Sequence, residues 1–297
     1  MIVTHTSPDL DAIGYVWLMK RYDPAAADMP VAFVNTGNPD AALLADAYSV
    51  GDTGREFDPA RRRFDHHHLA GAAANETCAT HQAYMSLIVD NVTNTPIWRE
   101  LHVIGPIVRL IYHGDTGKSE ANESRLLGIN ALLSAYKATR ATDEQLLAFG
   151  CDILDKLAAH LIAQDEARRS LDAHTVYRST DGLVVALQDA PQGATFAAYE
   201  TGARLVCFAN AETRARGVMR GGESQEPHCG GLVSALLNDY DCGLDDISAD
   251  VFGELCKWYR HQAGFFAGRG TAKAPVDDAM GCSIVDIAAA IDREWKR

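Results

Sequence analysis

The 297-residue chain is 47% hydrophobic, 8% aromatic and 23% charged, a composition that supplies apolar cores and excludes a disordered, collagenous or low-complexity protein. Its length is about twice that of a common domain, so two domains are expected. The formal net charge of −13 leaves no overall basic field of the kind that long nucleic acid or anionic lipid favours.

The N-terminus opens on Met1, Ile2, Val3, Thr4 and His5 without a basic start and an apolar stretch behind it. No later run approaches the roughly 18 apolar residues of a spanning helix. A cytoplasmic protein with no membrane partner is the expectation. The 7 cysteines are scattered and form no C-x-x-C pair, so they are read as reduced, mostly packing residues.

Ile2, Val3 and Thr4 form a strand-like run, and Ile13, Val16, Trp17 and Lys20 recur at helical spacing behind a turn over residues 5–11. Residues 31–34 repeat the strand signal, 39–47 read as helix, and 48–50 as a third strand ending at Gly51 and Asp52. This β-α-β-α-β alternation predicts an α/β fold: an N-terminal parallel sheet with helices on both faces, whose ligands gather beyond the carboxyl ends of the strands. From about residue 122 to 172 the period becomes helical through Leu126, Leu127, Ile129, Leu132, Leu133, Leu146, Leu147, Ile153, Leu154, Leu157 and Leu161. After a turn at 179–182, residues 183–187 and 205–208 read as strands of a smaller α/β unit. The expected domains are 1–178, carrying the chemistry, and 179–297, binding substrate.

Of the 11 histidines, those at 5, 66, 67, 68, 81, 102 and 113 fall in the part assigned to the first sheet. His5, Asp9 and Asp11 form an H-x3-D-x-D at the end of the first strand, where an imidazole and two carboxylates can converge on a divalent cation. Asp9 taken singly reads equally well as a helix cap. Asp52 follows the third strand, Asp65, His66 and His67 follow a run of three arginines, and Asp115 follows the apolar run Ile104 to Tyr112. Four such strand-end or loop positions in one region point to a shared metal centre.

As a set, His5, Asp9, Asp11 and Ala12, then Asp52, then Asp65, His66 and His67, then Asp115, Thr116 and Gly117 resemble the DHH phosphoesterase superfamily, in the family's order. Residues 52–67 and 261–268 are similar to the Myg-type exonuclease branch, although the first motif lacks that branch's further histidine and D-E pair. The resemblance implies that His5 and Asp9 hold one cation, that Asp11, His66 and Asp115 hold a second, and that Asp52 bridges them. It implies a pair about 3.5–4 Å apart that shares a hydroxide for in-line attack on phosphorus. Asp65 would orient an imidazole and His67 would face the phosphate, with His68 at the rim. Two divalent ions are therefore the expected cofactors, with Mn²⁺ favoured by the histidine ligands over Mg²⁺.

In the second domain, Arg220, Gly221, Gly222, Pro227, His228, Cys229, Gly230 and Gly231 are loosely similar to the glycine-and-histidine substrate motif of DHH companion domains. His228, His261 and Arg269 are the expected substrate-binding residues there. A P-loop at Gly117-Lys118-Ser119 is rejected because Tyr112 stands where glycine is required. The dinucleotide fingerprint begun at Gly268 fails at Lys273, although that turn, with Arg269 and Lys273, could grip a phosphate. Trp258 and Tyr259 could stack a base, but their spacing equally suits a core.

The resulting expectation is a two-metal phosphohydrolase cleaving phosphodiester bonds of short oligonucleotides or nucleotide-like substrates. The alternatives are a phosphoanhydride hydrolase acting on pyrophosphate or polyphosphate and a non-catalytic nucleotide- or metal-binding sensor. Both halves are acidic by count, so long nucleic acid is disfavoured as a partner. Arg61, Arg62, Arg63, Arg214, Arg216, Arg220 and Arg269 are the available phosphate contacts, and a homodimer is compatible with these features.

Overall fold

The computed structural model describes residues 1–70, 73, 75–91, 95–118, 128–221, 228–241 (backbone only from 238), 248–270, 275, 278 and 280–296. Leu126, Leu127, Ser119, Gly222, Pro227, Cys242 and Lys273 lie outside the described residues. The chain forms two compact units, Met1–Ile162 and Ala163–Arg297, and the division falls within the helix Asp143–His174, ahead of residue 178. Both units are α/β, and each is built on one mixed sheet.

In the first unit β1 (Ile2–His5), α1 (Leu10–Tyr22), β2 (Val31–Val34), α2 (Ala41–Asp46) and β3 (Ser49–Gly51) follow the expected alternation. Two short strands missed in the sequence, β4 (Phe57–Asp58) and β5 (Arg63–Phe64), extend the sheet to the order β2-β1-β3-β5-β4. All pairs are parallel except β4 with β5. The chain first steps from β1 to β2 and then crosses back to β3 on the other side of β1. Right-handed crossovers in opposite directions place their helices on opposite faces. Accordingly Ile2 packs in the core that contains α1, while Val3, Val34, Ala47 and Val50 pack with Leu43 and Leu44 of α2 on the other face. The carboxyl ends of β1 and β3 therefore flank a topological switch point, the position at which open α/β sheets bind ligands.

The apolar run before Asp115 is the helix α5 (Gly105–Asp115), preceded by α3 (Ala79–Asp90) and α4 (Pro96–Val103). Asp115 thus ends a helix and not a strand. Helices α1, α3 and α5 approach so closely at Gly14 that a Cβ there would lie 2.6 Å from both Ile111 Cδ1 and Thr80 Oγ1. Gly51 is under the same constraint on the sheet side, because a Cβ would meet the Tyr15 ring at 2.5 Å. That ring is fixed by its hydroxyl donating to Ser49 Oγ at 2.6 Å. Overpacking of this kind costs about 1–3 kcal/mol, so Gly51→Ala should lower the urea midpoint while leaving the slope unchanged. An unaltered midpoint would show that β3 and α1 can separate freely.

The second unit carries β6 (Thr175–Arg178), β7 (Val184–Gln188), β8 (Leu205–Ala209), β9 (Arg216–Arg220), β10 (Tyr259–Arg260) and β11 (Phe266–Arg269) in the order β10-β11-β9-β8-β7-β6. Only β7 and β8 pair in parallel. Alternation along β7 and β8 sends Val185, Leu187 and Val206 toward the helix Ala194–Glu200, and Val184, Ala186, Leu205 and Cys207 toward the helix Ile284–Trp295. Among the described residues, no helix is long and apolar enough to cross a membrane.

Candidate metal centre

His5 closes β1 and Asp52 directly follows β3, so the switch point brings the two side chains together. His5 Nε2 lies 3.1 Å from Asp52 Oδ2. Asp52 has φ +56°, a left-handed conformation that aspartate tolerates better than most residues and that clusters at functional sites. Its amide is held by donation to the Phe64 carbonyl at 2.9 Å. Asp9 is the N-cap of α1, with Oδ1 accepting from the amides of Asp11 at 3.0 Å and Ala12 at 3.1 Å. The same oxygen stands 3.9 Å from His5 Nε2, so the cap and the metal-ligand readings of Asp9 describe one geometry.

On the other side of Asp52, His66 Nε2 is 3.7 Å from Asp52 Oδ1, 3.5 Å from Asp115 Oδ2 and 4.0 Å from Asp11 Oδ2. That nitrogen is buried and has no hydrogen-bond partner, an orphaned donor or acceptor whose desolvation is costly unless something else binds it. Asp52 therefore presents one oxygen to His5 and the other to His66. Side-chain donors spaced for ligation fall, among the described residues, into three groups, two of which share Asp52: His5, Asp9 and Asp52; Asp52, His66 and His67; and Asp11, Cys78 and Asp115. The six residues expected to hold cations thus all lie in one cluster, and their mixture of carboxylate and imidazole fits a pair of divalent transition metals.

Asp11 is held from behind by α3, whose Ala79 and Thr80 amides donate to Oδ2 and Oδ1 at 2.8 Å each. It thereby satisfies donors that a helix N-terminus leaves unpaired. The N-cap residue itself, Cys78, makes no capping bond. Its thiol is fully buried beside Asp11, and burial together with that carboxylate holds its pKa far above the usual value. Read as a scattered packing cysteine in the sequence, Cys78 is the member of the cluster that spacing alone does not reveal.

Burial and the pairing of carboxylates with imidazoles govern the electrostatics. Burial and the neighbouring Asp52 and Asp115 push Asp11 up to about 7, and burial raises Asp115 to about 6. Burial opposes ionisation of Asp52, but the hydrogen bond from His5 and the nearby His66 imidazole outweigh it and hold the carboxyl well below its usual range. Reciprocally, Asp52 raises His66 to about 9; burial disfavours the charged His5 ring, yet Asp52 and Asp9 lift it to about 11. Without cations, the imidazoles are therefore protonated at neutral pH.

Imidazole must be neutral to ligate, so a cation entering at pH 7 displaces these protons. Divalent-cation affinity is expected to rise with pH up to about 9 where His66 ligates and up to about 11 where His5 does, and proton release should appear in titration calorimetry as a dependence on buffer ionisation enthalpy. Stability follows the same logic. Groups whose folded pKa is raised stabilise the metal-free fold most below their unfolded pKa, and lose that contribution as pH climbs through the folded value. Cation-induced protection against heat should accordingly keep growing above neutral pH, as the metal-free fold loses this contribution toward about 9 and 11. Affinity independent of pH would contradict this picture.

Asp65 Oδ1 accepts from the His67 amide at 2.9 Å and lies 2.7 Å from His67 Nδ1, and Asp65 Oδ2 accepts from the Arg55 amide at 2.6 Å. Asp65 is fully buried and His67 half-exposed, as expected for an orienting carboxylate behind an outward imidazole. His67 Nδ1 is also 3.6 Å from Asp52 Oδ1. His68 is exposed.

The second-unit residues are placed differently from the expectation. Arg269 is 8% exposed and donates to Asp278 Oδ1 at 2.7 Å and to the Pro275 carbonyl at 3.2 Å, so its guanidinium is engaged within the second unit. Arg216 is likewise buried, against Glu254 and Asp278. Trp258 is a core residue whose Nε1 donates to Glu254 Oε1 at 3.0 Å, not a stacking platform. His228 is exposed and its Nδ1 accepts from the Gly231 amide at 2.8 Å. His261 Nδ1 accepts from the Ala263 amide at 3.1 Å, and its ring lies 4.2 Å from that of Phe265. The Cys229 amide donates to the Gly264 carbonyl at 2.9 Å, which brings the two histidine-bearing turns side by side.

In the first unit, Arg61 pairs with Glu56 at 2.6 Å, Arg62 pairs with Asp23 at 2.9 Å, and Arg63 donates to the carbonyls of Arg61, Leu44 and Ala47. The triple arginine is therefore engaged within the protein. No protein-family model, curated protein or solved structure matches this chain.

Proposed function

We propose that the chain is a two-metal phosphohydrolase of the DHH type, acting on phosphodiester bonds of short oligonucleotides or nucleotide-like molecules. The observation that carries this reading is the sharing of Asp52: one carboxylate oxygen 3.1 Å from His5 and the other 3.7 Å from His66, each imidazole with its own carboxylates. His5, Asp9 and Asp52 would hold one cation, and Asp11, Asp52, His66 and Asp115 the other. Bound there, Mn²⁺ ions would supply Lewis acidity toward the phosphoryl group and its attacking water.

The protein's own part is to orient and to move a proton. Carboxylates only accept, so the Asp65 contact fixes the proton of His67 on Nδ1 and turns Nε2 outward. The same contact with Asp65 raises the His67 pKa, favouring the imidazolium at neutral pH. Its Nε2 proton can hydrogen-bond a phosphate oxygen and pass to the departing alkoxide, which leaves His67 neutral.

Short substrates are favoured because the cations counted in the sequence are already occupied: Arg61, Arg62, Arg63, Arg216 and Arg269 all serve intramolecular partners. An extended phosphate track, whose contacts supply most of the affinity for long nucleic acid, would have to displace these partners. The test is hydrolysis by Mn²⁺-loaded protein of dinucleotides, longer RNA and DNA, cyclic dinucleotides, pyrophosphate and nucleoside monophosphates. Turnover of dinucleotides, falling with length, is expected. Processive digestion of long strands at physiological salt, or action on pyrophosphate alone, would contradict it.

A further inference from the structure

We infer that the Cys78 sulfur is itself a ligand of the cation held by Asp11, His66 and Asp115, making that position the softer of the two. The inference rests on the metal centre proposed above. Cys78 occupies the N-cap of α3, where serine, threonine, aspartate or asparagine would stabilise the helix by capping and cysteine does not. It makes no cap bond there, and the capping is done by Asp11 from α1.

A residue needed only for volume would be served by alanine or valine among apolar neighbours. The fully buried sulfur packs in the apolar core of the first unit, yet ligand atoms of Asp11, Cys78 and Asp115 also lie within 4.8 Å of one another. The orphaned His66 Nε2 lies 4.0 Å from Asp11 Oδ2 and 3.5 Å from Asp115 Oδ2, so the two carboxylates that face the sulfur also face a nitrogen.

Such a set differs in kind from the imidazole and carboxylates of His5, Asp9 and Asp52. Thiolate selects softer cations than carboxylate does, and the affinity order of first-row metals reinforces it, so Co²⁺ and Zn²⁺ should outcompete Mg²⁺ at this position most strongly. The α3 N-terminus, with its positive end at Cys78, favours the thiolate once a cation is present. The thiol proton leaves to solvent as the cation enters.

The full chain, stripped of metal and titrated with Co²⁺, separates the outcomes by absorption spectroscopy. Wild type should bind two cobalt ions and develop a sulfur-to-cobalt charge-transfer band in the near ultraviolet that saturates with one of them. Cys78→Ser should abolish the band and weaken one cobalt site by at least about tenfold, while Cys256→Ser, at an exposed position, should retain it. X-ray absorption of the wild-type cobalt protein should show a sulfur scatterer near about 2.3 Å, a readout that does not depend on any variant folding. Two bound cobalt ions with no band and no sulfur scatterer would overturn the ligand and leave the centre standing. A band that survives in Cys78→Ser would also overturn it, and failure to bind cobalt at all would overturn both.

Discussion

Asp52→Asn is expected to reduce hydrolysis by on the order of 10³-fold or more and to remove at least one of two bound cations. The substitution keeps shape and backbone: asparagine tolerates the left-handed conformation found at φ +56° as well as aspartate does. What it removes is the negative charge between the two imidazoles of His5 and His66. A bound metal contributes several kcal/mol to phosphoryl transfer, and each 1.36 kcal/mol is a factor of about ten in rate, which sets the size of the loss. Elemental analysis beside steady-state kinetics measures both effects. A variant with two metals and near-normal turnover would show that Asp52 does not bridge.

His66→Ala and His67→Ala, adjacent in sequence, should fail in different ways. His66 is largely covered, its side chain 11% exposed, with Nε2 buried and facing Asp11, Asp52 and Asp115, so its removal should empty a cation position. His67 is half-exposed and tethered to Asp65, so its removal should leave metal content intact. A lost acid–base group typically slows the chemical step by about 10²–10⁴-fold. The His67 variant should also lose the alkaline descent of the pH dependence expected of a proton donor. Equal metal loss in the two variants would remove the distinction between ligand and proton donor.

The first sheet was legible because β1, α1, β2, α2 and β3 alternate in apolar period with clear turns between them. Helix α3 was not, since it is packed against β5, α1 and α5 and presents no clean apolar stripe. Strands β4 and β5 span two residues each, too short for any period, and Arg63 in β5 is buried by donating to backbone carbonyls. In the second unit β7 and β8 read as apolar runs, whereas β9 and β11 carry Arg216 and Arg269, whose burial depends on Glu254 and Asp278.

Partner identity explains the remaining differences at the candidate site. The acidic and histidine residues announced themselves by type and order, and the topology brings all six together. Counting arginines could not show that Arg62 belongs to Asp23 or Arg269 to Asp278. Cys78 enters only through tertiary packing, because what marks it is the approach of Asp11 from α1 and Asp115 from α5. The apolar run before Asp115 gave no strand, yet a helix end delivers the carboxylate to the same place.

Anomalous diffraction from crystals of the Mn²⁺-loaded protein tests the shared role of Asp52 most directly. Two manganese peaks are expected, one against His5 and Asp9 and the other against His66, Asp11 and Asp115, with one Asp52 oxygen on each. A single peak, or two peaks that Asp52 does not join, would contradict the account.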